Sequence, residues 1–327
     1  MNAFARLLRV ELHRYLRRRA VQVLMLACVA VPAVIGLIVV LDSRPPSGAE
    51  VAQSKETAEA NRQEELSYCL DNPDEWGIDG ADVATACAQQ IPSVEEAYQD
   101  YAYYDSLDLD RQQSDSGVAV ASFLAILLLL AGTTFTGHDW NSGSVSNQLL
   151  FEPRRARVWG AKALVVTGAA LLAAAVVMTA YWSVLGLVAS SRGTLGDGDL
   201  LGAFQMGWRS AGVAAAASLL GFVLTMLFRS TVATIGILLG AAVAGSLLLA
   251  AIGVSERWNP AVNLLALIDN GTTYYAGDSC FDDGSYDDSY DDCEDELTFA
   301  DASLYVGSFL LISGAASFVS FRRRDVP

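Results

Sequence analysis

Along the chain, apolar residues gather into six runs near 21–41, 116–136, 161–190, 204–228, 231–253 and 303–321, separated by polar segments. About 20 helical residues cross the roughly 30 Å hydrocarbon layer of a bilayer, so each run is long enough to span. Lipid offers no partner for backbone N–H and C=O groups, and a helix satisfies them internally. The pattern predicts an all-α, polytopic membrane protein with six transmembrane helices. The first run follows Arg17, Arg18 and Arg19, as a secretory leader would. It continues from Val21 to Leu41, however, beyond the about 7–15 apolar residues of a cleavable signal. It is read as a retained span over 20–41, with Pro32 as a kink site.

The polar segments have patterns of their own. Residues 1–19 place Phe4, Leu8, Leu12 and Leu16 at helical spacing, with Arg6, Arg9, His13, Arg14 and Arg17 mostly on other faces. This predicts an interfacial amphipathic helix, either docking on a partner or anchoring the chain to anionic lipid. Residues 42–115 are acidic and rich in helix formers, which predicts a helical cap. Within it Ala49 to Glu65 is Ala/Glu-rich, and Ser93 with Glu96 forms a capping-box pattern ahead of a helix to about Gln112. Residues 191–203 form a Gly/Asp turn. The segment 254–302 opens on Asn259-Pro260, an N-cap and first helical position, before a short apolar helix through Ile268 that is too short to span.

Charge orients these elements. With a cytoplasmic amino terminus, fourteen basic residues and only Glu11, Asp139, Glu152 and Asp325 fall inside, while most of the 37 acidic residues fall outside. Positive-inside bias thus predicts that both termini, including the tail 322–327, are cytoplasmic. Cys69, Cys87, Cys280 and Cys293 all fall on the outer, oxidising side, where disulfides persist. Three pairings of four cysteines are possible. The local ones, Cys69–Cys87 and Cys280–Cys293, are expected. Asp278 to Glu296 is dense in carboxylates but lacks the D-x-[DN]-x-[DN]-G loop of a calcium site, so it is read as a solvated acidic loop. In the fifth run Gly236 and Gly240 lie one turn apart, permitting close helix packing.

Signatures of catalysis are missing from this sequence. Its two histidines, His13 and His138, belong to no H-E-x-x-H motif, and there is neither a G-x-S-x-G elbow nor a nucleotide-binding P-loop. Arg209 alone lies clearly within a span, near its outer end. The chain is therefore read as non-catalytic, with no cofactor, metal or nucleic acid of its own.

The most informative segment joins the second and third runs, over 137–160. It contains Asp139, then Gly143-Ser144, then Leu149-Leu150-Phe151, then Pro153-Arg154-Arg155, with Lys162 opening the next run, and a helix from about Ser144 to Phe151, ended by Pro153, is expected within it. This order resembles the corresponding region of type-2 ABC export permeases, with Asp139 and Ser144 where that family more often has Glu and Thr. A basic amino-terminal helix, six spans and the short Arg229-Ser230 connection extend the likeness over nearly the whole chain; the long cysteine-containing segment 42–115 departs from it. The resemblance implies the membrane subunit of an ATP-driven exporter in the bacterial cytoplasmic membrane, moving an apolar or amphiphilic substrate such as a lipid, drug, peptide or antibiotic. It implies a dimer, often of identical chains, in contact with membrane lipid. It also implies a cytoplasmic ATP-binding subunit that carries the ATP and Mg and docks on Asp139, Gly143, Ser144, Leu149, Leu150, Phe151, Pro153, Arg154 and Arg155. The alternative is a non-transporting interaction, sensor or assembly subunit acting through its acidic outer segments.

Overall fold

The computed structural model describes residues 3–78, 82–101, 106–251, 255–275 and 294–323. They are helical almost throughout and divide into two units, Met1–Leu37 with Asp108–Pro327, and Ile38–Leu107.

In the larger unit, α1 (Ala3–Leu16) precedes α2 (Arg19–Asp42). The second apolar run starts earlier than its hydropathy suggests. Asp108 accepts hydrogen bonds from the backbone of Asp110 and Arg111 and so caps α6 (Leu109–Gln112). A π-turn, Gln113–Gly117, then carries that helix into α7 (Val118–Asn141). There follow α8 (Ser144–Phe151), α9 (Arg155–Arg192), α10 (Asp199–Phe228), α11 (Thr231–Ala251), α12 (Pro260–Asp269) and α13 (Phe299–Arg323). Five helices are long and apolar enough to cross a bilayer: Arg19–Asp42, Leu109–Asn141, Arg155–Arg192, Asp199–Phe228 and Phe299–Arg323. The protein is a multi-pass membrane protein on that ground. The remaining apolar run gives α11, whose fully described stretch, side chains included, is Thr231–Gly245 and is by itself shorter than a span.

The centre is α10 packed along α7 and α9. Lipid supplies no hydrophobic drive between helices, so close association relies on small residues and on internally bonded polar ones. A Cβ at Gly132 would run into the Ser218 carbonyl, and one at Gly221 into that of Leu129, so α7 and α10 touch backbone to backbone. Thr136 donates to Gly132 O at 2.9 Å and Thr225 to Gly221 O at 2.7 Å, which hides their hydroxyls within their own helices. Leu124, Leu128, Met178, Trp182, Leu185, Met206 and Phe222 fill the remaining space. By contrast α2 and α13 show exposed apolar faces, with Val23, Leu26, Val29, Leu304, Leu311 and Ile312 outward, as spans facing lipid do. Gly236 and Gly240 of α11 meet nothing within 4 Å among the described residues.

One feature departs from the all-helical expectation. Asn270 (φ 71°) ends α12 in the left-handed region, and β1 (Gly271–Tyr275) then pairs antiparallel with β2 (Glu294–Thr298), Gly271 opposite Thr298 and Tyr275 opposite Glu294. The carboxylates Glu294, Asp295 and Glu296, expected in a loop, therefore lie on a strand. Arg209 Nε donates to Ile268 O at 2.9 Å, closing the carboxyl end of α12 beside Asp269. The remainder of the acidic segment, with Cys280 and Cys293 and their expected disulfide, lies outside the described residues.

The smaller unit is a helical domain with its own core. Its α3 (Gly48–Asp71) begins with a capping box in which Ser47 and Glu50 bond each other's backbone N–H. A 3₁₀ turn, Pro73–Trp76, leads to α4 (Val83–Gln90) and α5 (Val94–Tyr101). The Cys69–Cys87 disulfide is present, and with Ile78 and Ile91 it forms a core lined by Leu66, Trp76, Val83 and Ala86. The expected box at Ser93 and Glu96 is also made. That helix is described as far as Tyr101, and the expected single helix to about Gln112 is not what forms: Asp108, in extended backbone, caps a separate helix over Leu109–Gln112.

Candidate functional site

The segment between α7 and α9 is a tight helical joint. Gly143 adopts φ 65°, a left-handed conformation that costs glycine little, and so turns the chain from α7 into α8. Pro153 follows the Glu152 cap and cannot continue a helix, which separates α8 from α9. Val145 is buried and Leu149 packs on the same core, with Tyr15, Phe135 and Phe321. The next two residues point away from that core: Leu150 is 80% exposed and Phe151 89%. Thus α8 is seated by one apolar pair and presents another.

What seats it most firmly is charge. Glu11 on α1, Asp139 on the last turns of α7 and Lys162 on α9 are all fully buried. Lys162 Nζ donates to Glu11 Oε2 at 2.7 Å and to Asp139 Oδ2 at 2.5 Å, bridging the two carboxylates. Arg14 donates to Glu11 and to Asp139, each at 3.0 Å, and to Ser144 Oγ. Arg18 donates to Asp139 and, at 2.8 Å, to the Phe135 carbonyl, while its guanidinium lies 4.8 Å from the Phe135 ring centre. Gln148 of α8 closes the set by donating to Glu11 Oε1 at 2.5 Å. Three cations face two anions, leaving one net positive charge at the arginine edge, where Arg14 and Arg18 are partly buried.

Buried charges are tolerable only when each is paired and its remaining hydrogen-bonding capacity met. Here Glu11 accepts three such contacts and Asp139 three, from α1, the turn after it, α8 and α9. The arrangement thus locks α1, α7, α8 and α9 to one geometry. Nearby, Tyr15 stacks edge-on against Phe135 with ring centres 5.1 Å apart. Its hydroxyl is buried without a hydrogen-bond partner among the described residues, which costs about 1–3 kcal/mol. Burial, with Cys28 beside it, pushes that hydroxyl's pKa above its ordinary value.

The basic residues after Pro153 divide in their roles. Arg155 donates to the Phe321 and Arg322 carbonyls at 3.2 and 3.3 Å, capping the carboxyl end of α13 where a cation is favoured by the helix dipole. Arg154 stands at the N-cap position of α9 without a side-chain cap bond, and Arg157 lies 3.8 Å from Glu152. Of the residues picked out in the sequence, Asp139 and Ser144 join the charge cluster, Gly143 and Pro153 bound α8, Leu149 anchors it, and Leu150 and Phe151 are displayed. Sequence reasoning passed over Glu11, Arg14, Arg18 and Gln148 as site residues, and took Lys162 only as the start of a span. The available signal was Glu11, the sole acid of a basic helix, placed one turn from Tyr15.

Among the described residues no group of histidine, cysteine or carboxylate side chains has the grouping of a metal site. Compared with protein-family models, curated proteins and solved structures, the chain matches none.

Proposed function

We propose that this chain is the membrane subunit of an ATP-driven exporter of the type-2 ABC class, with α8 as the docking helix for a separate cytoplasmic ATPase that holds the ATP and Mg. The observation that carries this reading is the display of Leu150 and Phe151 on a helix whose opposite side is fixed by Val145, Leu149 and the buried charge cluster. Apolar and aromatic anchors seated in a partner's cleft supply much of an interface's energy. A rigid mount is what lets a push on such an anchor reach the spans instead of being absorbed locally.

In this reading both termini are cytoplasmic, α11 serves as a sixth span, and two copies of the chain line the route of an apolar or amphiphilic substrate in the cytoplasmic membrane. The order Asp139, Gly143-Ser144, Leu149-Leu150, Pro153-Arg154-Arg155 supports it. The test is to purify the chain with any ATP-binding-cassette ATPase encoded beside it and to measure ATP turnover in nanodiscs. Leu150→Asp should lower permease-dependent turnover at least about tenfold, the equivalent of 1.4 kcal/mol, with expression and insertion unchanged. Normal turnover by a folded Leu150→Asp protein would refute the assignment of α8.

The disulfide-tied core of the smaller unit favours a second reading, an interaction or sensor subunit working through residues 38–107. That reading gains if the chain copurifies with no ATPase and removal of 46–106 abolishes partner binding.

A further inference from the structure

We propose that the smaller unit binds a small zwitterion with an apolar body, of the class and size of an apolar α-amino acid, in the cavity between α3 and the start of α5. The site lies wholly within residues 38–107 and stands apart from the docking role of α8.

The cavity measures about 280 Å³. Ala58, Asn61, Arg62 and Glu65 line one wall, and their spacing puts all four on a single face of α3. Ile91 and Pro92, between α4 and α5, line the other with Ala97 of α5. Ala58 and Ile91 are buried and make an apolar floor, and alanine at 58 and 97 leaves space that longer side chains would fill. Small-molecule sites commonly run from about 300 to 1,000 Å³, apolar inside with a few placed polar groups. This one stands at the lower limit, which restricts its occupant to a molecule of amino-acid size.

Charge narrows the class further. Residues 38–107 hold three basic side chains, Arg44, Lys55 and Arg62, against fifteen acidic ones. Arg44 and Lys55 are matched to Glu50 and Glu95 at 2.8 and 2.9 Å. Arg62 has no carboxylate within 4 Å among the described residues, although Glu65 lies one turn along its own helix. Its Nε donates instead to the Pro92 carbonyl at 3.1 Å. That bond fixes the guanidinium plane and leaves the two Nη groups to grip a carboxylate in bidentate fashion. Glu65 likewise has no cation within 4 Å among the described residues. Two opposite charges thus line one cavity without neutralising each other. A ligand with a carboxylate for Arg62 and an ammonium for Glu65 satisfies both, and its apolar part covers the floor. A lone anion is repelled by the acidic surroundings and a lone cation by Arg62, whereas a zwitterion brings no net charge. Because Arg62 is already held, little of its side-chain freedom is lost on binding.

The experiment titrates the full chain in nanodiscs calorimetrically with L-valine, L-leucine and L-phenylalanine in turn. At least one should bind saturably with a Kd below about 10 mM. For the tightest of them, the analogue lacking the ammonium and the analogue lacking the carboxylate should each bind at least about tenfold more weakly. Arg62→Gln and Glu65→Gln should each weaken the amino acid by at least about tenfold, while Lys55→Ala leaves its affinity within about twofold. Ala97→Leu, which fills the cavity, should abolish binding. Protease resistance of 46–106, measured for each variant, reports whether the domain is folded, and Arg62→Gln decides the matter if Ala97→Leu is not. Absence of saturable binding for all three amino acids would overturn the proposal. So would binding that survives Arg62→Gln, or an analogue without the ammonium that binds as tightly as the amino acid.

Discussion

The joint at α8 and the helical domain over 38–107 use the same ion-pair chemistry at nearly the same distances in opposite surroundings. Lys162 meets Glu11 at 2.7 Å with both groups sealed from solvent. Lys55 meets Glu95 at 2.9 Å and Arg44 meets Glu50 at 2.8 Å, all four largely open to water. Distance cannot rank these contacts. In water the attraction is screened and each long side chain loses freedom to make it, so the exposed pairs contribute little. In the bundle, removing one partner leaves a buried charge with reduced compensation. The two regions also differ in what does the holding. The small domain relies on a disulfide and helix caps around a modest core, as suits a unit of its size. The joint relies on charge that only four helices together can satisfy.

Breaking the larger side of this contrast should give the largest effect. Lys162→Met removes the bridge between Glu11 and Asp139 and is expected to destabilise the larger unit by about 3–5 kcal/mol, read as a fall in the melting temperature of the detergent-solubilised protein. A change within about 1 kcal/mol would mean that Arg14 and Arg18 suffice for both carboxylates.

In the small domain, Cys69→Ser with Cys87→Ser opens a loop with an 18-residue separation, worth about 3 kcal/mol in the chain-entropy model. Protease cleavage within 46–106 should accelerate while the spans stay intact. If cleavage spreads to the spans at the same rate, the two units do not unfold separately.

Lys55→Ala sharpens the comparison from the other side. Losing the Glu95 pair should change the domain's stability by less than about 1 kcal/mol. A loss comparable to that of Lys162→Met would erase the distinction between exposed and buried pairs.

The smallest effect concerns acid. Hydrogen bonds from the Ser47 backbone and hydroxyl hold the Glu50 carboxyl below its ordinary pKa, and Ser93 does the same for Glu96. A depressed folded pKa contributes stability above the unfolded pKa that is lost as pH falls through the folded one. The helix starts of α3 and α5 should therefore loosen only below the usual carboxylate range, seen as faster amide exchange in their first turns. Loosening already near neutral pH would contradict the capping boxes as the cause.

Much of this architecture was legible because it is local. The apolar runs, the Ser93–Glu96 box, the Asn259-Pro260 helix start and the bounds of α8 each depend on residues within a few positions of one another, and each appears where expected. The Cys69–Cys87 bridge joins near neighbours in sequence as well. The Ser47–Glu50 box carried the same signal and was passed over. The π-turn before α7 and the β1–β2 ladder had no clear local signature, since one inserts a residue into an otherwise helical run and the other sits in an acidic segment.

By itself the sequence determined that apolar helices long enough to span a membrane exist, where most of them begin and end, and that a short helix between α7 and α9 carries Leu150 and Phe151. Only the tertiary structure decided which side of α1 faces inward and that Lys162 meets a carboxylate 151 positions away. Helical periodicity ranks faces by hydropathy, and by that measure Glu11 belongs outside. Its burial is favourable only once a lysine, an arginine and a glutamine from three helices converge on it, and that convergence is a property of the assembled bundle.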